Sequence, residues 1–286
     1  MKATKPLDCF VTVNGLRLHY LDWGNDAAPP LLLLHGGMQT AHTWDFFAAS
    51  ASDCYHVVAL DQRGHGDSDW SPEASYGRDA YLADVAAFTE ALGWRRFALI
   101  GLSMGGRNAL CFSATHPERV KALVACDVGP EVRPEGVEAI RRFALMPDEL
   151  DTFEAFVERA HQFNPRRSLE SLRGSLSHSL KRLPNGKWTW KYDRVFRDPV
   201  RRPQLTTGER ASLWTYVEKI ACPTLVVIGA SSDVMSPETG EKMLAVLPAG
   251  SELVVVPHAG HVVHGDNPEG FERAVTPFLE RWVLAG

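Results

Sequence analysis

The stretch FALIGLSMGGRNAL, residues 97–110, decides the fold. It opens on a short apolar run of the kind buried on both faces of a parallel sheet, and from Met104 onward its spacing is helical. Between the two lies Gly101-Leu102-Ser103-Met104-Gly105. A G-x-S-x-G pattern at a strand-to-helix junction makes a sharp, strained turn that lifts the serine hydroxyl above the sheet edge. Flanking glycines permit the close backbone approach, and the helix behind the turn directs its N-terminal dipole toward developing negative charge. Ser103 is therefore the candidate nucleophile.

Outward from this stretch, the same kind of apolar run recurs as LLLLH (31–35), HVVALD (56–61), VKALVACD (120–127), TLVVIG (224–229) and ELVVVP (252–257). Helical spacing over 42–50, 79–92, 104–115, after Pro237 and from Pro268 to Trp282 fills the gaps between runs. Alternation of this kind predicts right-handed crossover units and an α/β fold with a mostly parallel central sheet flanked by helices. Residues 9–13 and 16–23, joined by Asn14-Gly15, predict an antiparallel hairpin at the start. From Gly129 the alternation stops, and an arginine-rich, proline-interrupted helical text runs to about Lys219, with a second hairpin expected around Asn185-Gly186. The expected organisation is a core domain of 1–129 and 220–286 with a mainly helical cap inserted over 130–219.

A serine nucleophile needs a base and oxyanion donors. VVVPHAGHVVHGDNP (254–268) offers His258, His261 and His264, and His261, after Ala259-Gly260 in the loop following the last strand, is placed to swing over the sheet edge as general base. His258 and His264 read as loop-stabilising. The expected oxyanion donors are the N–H groups of Met104, directly after the nucleophile, and of Gly37 in the HGG loop, with Met38 as an alternative to Gly37. His35 and Gly36 read as residues that shape that loop.

With HGG (35–37), DQRGHGDSD (61–69), GLSMGG (101–106), DVGP (127–130) and HAGH (258–261) in this order, the chain resembles the α/β-hydrolase family over nearly its full length. The resemblance implies that Asp61, Arg63 and His65 build a loop rather than react. It leaves two candidates for the acid of a Ser-His-Asp triad. Asp233 follows the strand that carries the acid in most of the family, but there the spacing is Gly-x-x-Asp, and here three residues separate Gly229 from Asp233. Asp127, at the end of VKALVACD, resembles the acid of a smaller group of esterases and of a succinate-derivative hydrolase, and is preferred. Either carboxylate would fix the imidazole tautomer and stabilise the imidazolium.

Composition narrows the function further. The 286 residues carry a formal charge of −5 and a predicted pI near 6.1, so there is no basic field for nucleic acid or a membrane surface. The pairs Arg141/Arg142, Arg166/Arg167 and Arg201/Arg202 read as solvated. Five scattered cysteines form neither a disulfide framework nor a zinc motif, and MKATKPLDCFVTVNG lacks an apolar leader core, so a cytoplasmic protein is expected. The reading is a carboxylic ester hydrolase acting on a small molecule through Ser103, His261 and Asp127, with no metal or organic cofactor. Lactone, amide, thioester and carbon–carbon substrates are open to the same triad, and the rival from another class is a ligand receptor that keeps the fold. Phe143, Phe156, Trp188, Trp190 and Trp214 are expected to pack the cap or line its pocket. Arg133, Arg141 and Arg166 are candidates to hold an acidic substrate.

Overall fold

A computed structural model describes residues 5–198 and 212–285. The chain opens with the expected hairpin, β1 (Leu7–Val13) and β2 (Leu16–Asp22), turned by Asn14 and Gly15 at φ of 50° and 76°. Positive φ at both central residues gives a turn whose twist matches the strands it joins. The remaining strands of the main sheet are β3 (Pro30–Leu34), β4 (His56–Leu60), β5 (Phe97–Leu102), β6 (Val120–Cys126), then β10 (Thr224–Gly229) and β11 (Glu252–Val256). Their order is β1-β2-β4-β3-β5-β6-β10-β11, with the β1-β2 and β2-β4 pairs antiparallel and all later pairs parallel. Each predicted run is a strand.

The near-continuous apolar character of these strands has a direct cause, since the sheet is covered on both faces. Leu32, Leu34, Val58, Leu60, Leu99, Val226 and Ile228 face one layer, where α2 (Arg78–Ala91) contributes Val85 and Phe88 and α3 (Ser103–Thr115) contributes Leu110 and Phe112. Their strand neighbours Leu31, Leu33, Val57, Ala59, Ile100, Val124 and Val227 face the other, against Phe47 of α1 (Asp45–Ala51) and Phe271 and Phe278 near the C-terminus. Residues one apart in a strand point to opposite faces, so a strand with no exposed face loses its polar alternation.

Between β6 and β10 the chain leaves this sheet. α4 (Pro134–Ala144), α5 (Phe153–Phe163) and α6 (Leu169–Ser179) accompany a small antiparallel sheet in the order β7-β9-β8, made of Glu149–Leu150, Trp188–Trp190 and Leu180–Arg182. β8 and β9 are the arms of the hairpin expected around Asn185-Gly186, with Gly186 at φ 85°. This layer has its own apolar centre, with Phe156, Val157, Leu172, Leu176 and Trp190 buried and Phe143 and Trp188 packed against them. Trp214 differs from the expectation. It sits in α7 (Trp214–Val217) and packs on the main core, whose Val217 is fully buried, so it belongs to the chain's return to the large sheet. The main domain closes with α8 (Pro237–Leu244), α9 (Val263–Asp266) and α10 (Pro268–Leu279). No described helix is long and apolar enough to cross a membrane.

Candidate active site

Ser103 occupies the junction of β5 and α3 with φ 51°, a left-handed conformation uncommon for a residue with a side chain. The turn is tight enough to require its glycines. A Cβ on Gly101 would overlap the Gly105 carbonyl, and one on Gly105 would overlap the carbonyls of Leu34 and His35 at the end of β3. These contacts hold the nucleophile turn against the HGG loop.

Register explains how Asp127 comes to lie beside Ser103. Leu102 of β5 pairs with Cys126 of β6, so Ser103 and Asp127 are the next residues along adjacent strands. Asp127 is fully buried and also takes a left-handed conformation, φ 46°. His261 arrives from the far side, in the loop after β11, and must cross the end of β10 to reach them. Gly229 makes that crossing possible, because a Cβ there would overlap the carbonyls of Ala259 and Gly260. The result is a hydrogen bond from His261 Nδ1 to Asp127 Oδ2 at 2.7 Å. An ionised carboxylate only accepts, so the imidazole proton sits on Nδ1 and the Nε2 lone pair is available as a base.

Asp127 accepts two further hydrogen bonds, from the Ser232 hydroxyl at 2.6 Å and from Gly229 N–H at 3.2 Å. Ser232 was not singled out in the sequence, yet the mismatch at Asp233 pointed to it. Counting Gly-x-x from Gly229, the position of the family's usual acid is Ser232. Its buried Oγ accepts from the N–H groups of Val234 and Met235 and gives its only proton to Asp127. Asp233 itself is exposed, and its carbonyl receives Gly136 N–H of α4. It is not part of this cluster. Ser232→Ala is expected to lower kcat by roughly 10- to 100-fold, the equivalent of one charge-assisted hydrogen bond of about 1.5–3 kcal/mol, with KM little changed and Ser232→Thr restoring most of the rate. A loss confined to melting temperature would assign Ser232 to folding alone.

On the other side of Ser103, in the loop after β3, Gly36 N–H is taken by Gln39 Oε1 at 3.0 Å. Gly37 lies against Met104, with 3.9 Å between Met104 Cβ and the position a Gly37 Cβ would take, and Met38 adopts φ 64°. His35 shapes this loop as expected. Its Nδ1 donates to Gly36 O and its Nε2 accepts Gln62 N–H, and burial lowers its pKa so that it remains neutral. Gln62 continues the chain to His35 O and to Asn108 of α3.

The remaining reactive-looking side chains have structural partners. Asp61 accepts from Ala41 N–H, Asp67 N–H and His19 Nδ1, and although burial opposes ionisation, the His19 hydrogen bond holds its pKa below the usual carboxylate value. Arg63 forms a two-pronged buried pair with Asp84. His65 donates to Arg63 O and stands against Phe196, and burial depresses its pKa to about 3. His264 is similarly buried, depressed to about 3, stacked on Trp44 and bonded to Thr43. His258 is an exposed turn residue at φ 57°.

Among the arginine candidates, Arg133 Nη1 donates to Ser232 O, and Arg141 pairs loosely with Glu138 on an exposed helix face. Arg166 alone stands beside the histidine loop, with Nη1 3.2 Å from where a Gly260 Cβ would lie. Its segment is anchored by Asn164, whose amide donates to Asp266, the same carboxylate that receives Gly260 N–H. Arg201 and Arg202 lie outside the described residues.

A family model for the alpha/beta hydrolase fold matches residues 29–268. The chain belongs to the α/β-hydrolase family. It is similar to an esterase of Mycobacterium tuberculosis, 29% identical over 91% of this chain and 85% of the other. It is also similar to the 3-hydroxybutyrate-oligomer hydrolase of Cupriavidus necator, 31% identical over 86% of this chain and 87% of the other. Among solved structures, E-2-(acetamidomethylene)succinate hydrolase superposes with a TM-score of 0.86 at 25% identity, covering 96% of this chain and 99% of that one. The chain is thus a hydrolase of the α/β fold, and its family includes enzymes of ester and other bonds.

Proposed function

We propose that this hydrolase cleaves a carboxylic ester of a small molecule by a two-step acyl-enzyme mechanism. Ser103 is the nucleophile, His261 the base and Asp127 the residue that orients and stabilises it. The observation that carries this reading is the 2.7 Å bond from His261 Nδ1 to buried Asp127, with Ser103 at the adjacent strand end. His261 Nε2 takes the Ser103 proton as the hydroxyl attacks the carbonyl, and returns it to the departing alkoxide. Water then repeats the sequence on the acyl-enzyme. The Met104 and Gly37 N–H groups, at the N-terminus of α3 and in the facing loop, stabilise the oxyanion. The esterase and oligomer-hydrolase relatives support an oxygen ester as the bond.

A second reading has a specific observation behind it. Arg166 beside the histidine loop supplies a cation for an acidic substrate, and the acetamidomethylene-succinate hydrolase, by its name, acts on one. Amide hydrolysis by the same groups would follow.

The test has two stages. A fluorophosphonate probe is expected to label wild-type protein once, at Ser103, and to leave Ser103→Ala unlabelled. A panel of p-nitrophenyl monoesters, lactones, a dicarboxylic half-ester and its amide then separates the readings by kcat/KM. Absence of labelling together with tight ligand binding would favour a receptor.

A further inference from the structure

A cluster of metal-binding side chains lies outside the proposed triad, where the inserted layer meets the large domain. His42 belongs to the short 3-10 turn Ala41–Trp44, which follows the loop that carries Gly37, and Asp45 is the first residue of α1. His178 comes from the last turn of α6 in the inserted layer. The two imidazoles stack with centroids 3.5 Å apart and planes at 20°, and His42 Nδ1 lies 3.0 Å from Asp45 Oδ2. One ligand atom from each of the three residues falls within 4.8 Å of the other two. Around zinc, nitrogen and carboxylate oxygen stand at roughly 2.0–2.2 Å, so the three side chains would have to turn toward an ion lying between them.

We propose that His42, Asp45 and His178 form a binding site for a divalent transition metal, which ties the inserted layer to the core when occupied. Two imidazoles and one carboxylate suit Zn²⁺, Co²⁺, Ni²⁺ or Cu²⁺, whereas Mg²⁺ and Ca²⁺ prefer oxygen ligands throughout. A fourth position is left for water. The charged groups around the pair are Asp45, Asp8 and Lys191, and the Lys191 ammonium is drawn off by Asp67 at 2.7 Å. His178 is held in place because its helix buries Leu172 and Leu176 in the centre of the inserted layer.

The two other histidine–carboxylate groups among the described residues are poorer candidates, and in the set of Asp22, Asp26 and His56 the Asp26 side chain is almost wholly exposed. In the set of His19, Asp61 and Asp67, the Asp61 carboxylate already accepts three hydrogen bonds. At His42 the partners come from both layers, so an ion there joins α6 to the turn directly after the oxyanion loop. A bound ion would fix the inserted layer against the turn that follows the HGG loop, and any effect of that on turnover rests on the proposed catalytic reading, while ion binding does not.

The experiment is a Co²⁺ titration of chelator-treated full-length protein, read by visible absorption and by equilibrium dialysis. One Co²⁺ per chain is expected, with d–d bands of a low-coordinate site, and Zn²⁺ should displace it. His178→Ala, and separately His42→Ala, should weaken binding on the order of 100-fold or more, since loss of an outer-shell partner alone costs about 10- to 100-fold. Unchanged melting temperatures in metal-free buffer show that both variants fold, and His178→Gln serves if the alanine variant does not. No saturable site in the wild type, or equal binding by His178→Ala, overturns the proposal. In the hydrolase assay, Zn²⁺ should inhibit the wild type with a midpoint at least tenfold lower than for His178→Ala. Equal inhibition of both would assign the effect to His261 and overturn the clamp.

Discussion

Asp127→Asn is expected to lower kcat by about 10⁴-fold, the effect of losing the carboxylate behind a catalytic histidine, while Asp233→Asn leaves kcat within a factor of about three. The asymmetry follows from geometry. Asp127 is fully buried and receives the His261 Nδ1 proton at 2.7 Å. An asparagine there presents either an amide N–H that clashes with the imidazole proton or a carbonyl that carries no charge to stabilise the imidazolium. It also leaves the Ser232 hydroxyl and Gly229 N–H, both now directed at Asp127, with a weaker acceptor. Asp233 is exposed, and no hydrogen bond joins it to His261 or Ser103 among the described residues. Steady-state kinetics on the best ester of the panel, with circular dichroism to verify folding, decides the matter. Equal losses in the two variants would remove Asp127 from the mechanism.

The preference for Asp127 was legible in part. The resemblance gave two candidates, and the extra residue between Gly229 and Asp233 was a reason to doubt the usual one. What the chain alone does not express is strand pairing. β5 and β6 are consecutive, so the adjacency of Ser103 and Asp127 follows from topology, but the crossing of the His261 loop over β10 depends on contacts between Gly229 and Gly260 that are distant in sequence. Ser232 was missed for a related reason. A serine in a loop is unremarkable until its hydroxyl is found sharing a buried carboxylate. Periodicity, by contrast, revealed the central strands of the large sheet, since burial on both faces leaves their apolar runs uninterrupted, while the largely exposed β1 was marked by the Asn14-Gly15 turn. Trp214 was assigned to the inserted layer because composition does not mark where the chain returns to the core. The metal cluster has no linear signature either, as its third ligand comes from a different layer.

The second large effect is expected in stability rather than turnover. Asp84→Ala should destabilise the fold by about 3–5 kcal/mol, the usual consequence of stripping one partner from a buried ion pair. Arg63 and Asp84 side chains are 7% and 3% exposed, and the guanidinium meets the carboxylate through both Nε and Nη2, at 2.5 and 2.7 Å. Asp84 also accepts Asn14 Nδ2 at 2.9 Å, and Arg63 Nη1 donates to Ser75 O. The pair therefore joins the first hairpin, the loop after β4 and helix α2. Removing the carboxylate leaves a buried cation without its partner, and Tm should fall by something on the order of 10 °C for a chain of this size. Desolvation makes the pair a poor source of net stability, so the double variant Arg63→Met, Asp84→Leu should recover much of the loss. Thermal unfolding of the two variants and the wild type reads both outcomes. A double variant as unstable as Asp84→Ala would mean that the Arg63 bonds to the loop, rather than the charge left behind, carry the stability. In either case Ser103 labelling should persist in the folded fraction, because close packing of Gly101 on Gly105 and of Gly105 on the end of β3 holds the turn at Ser103.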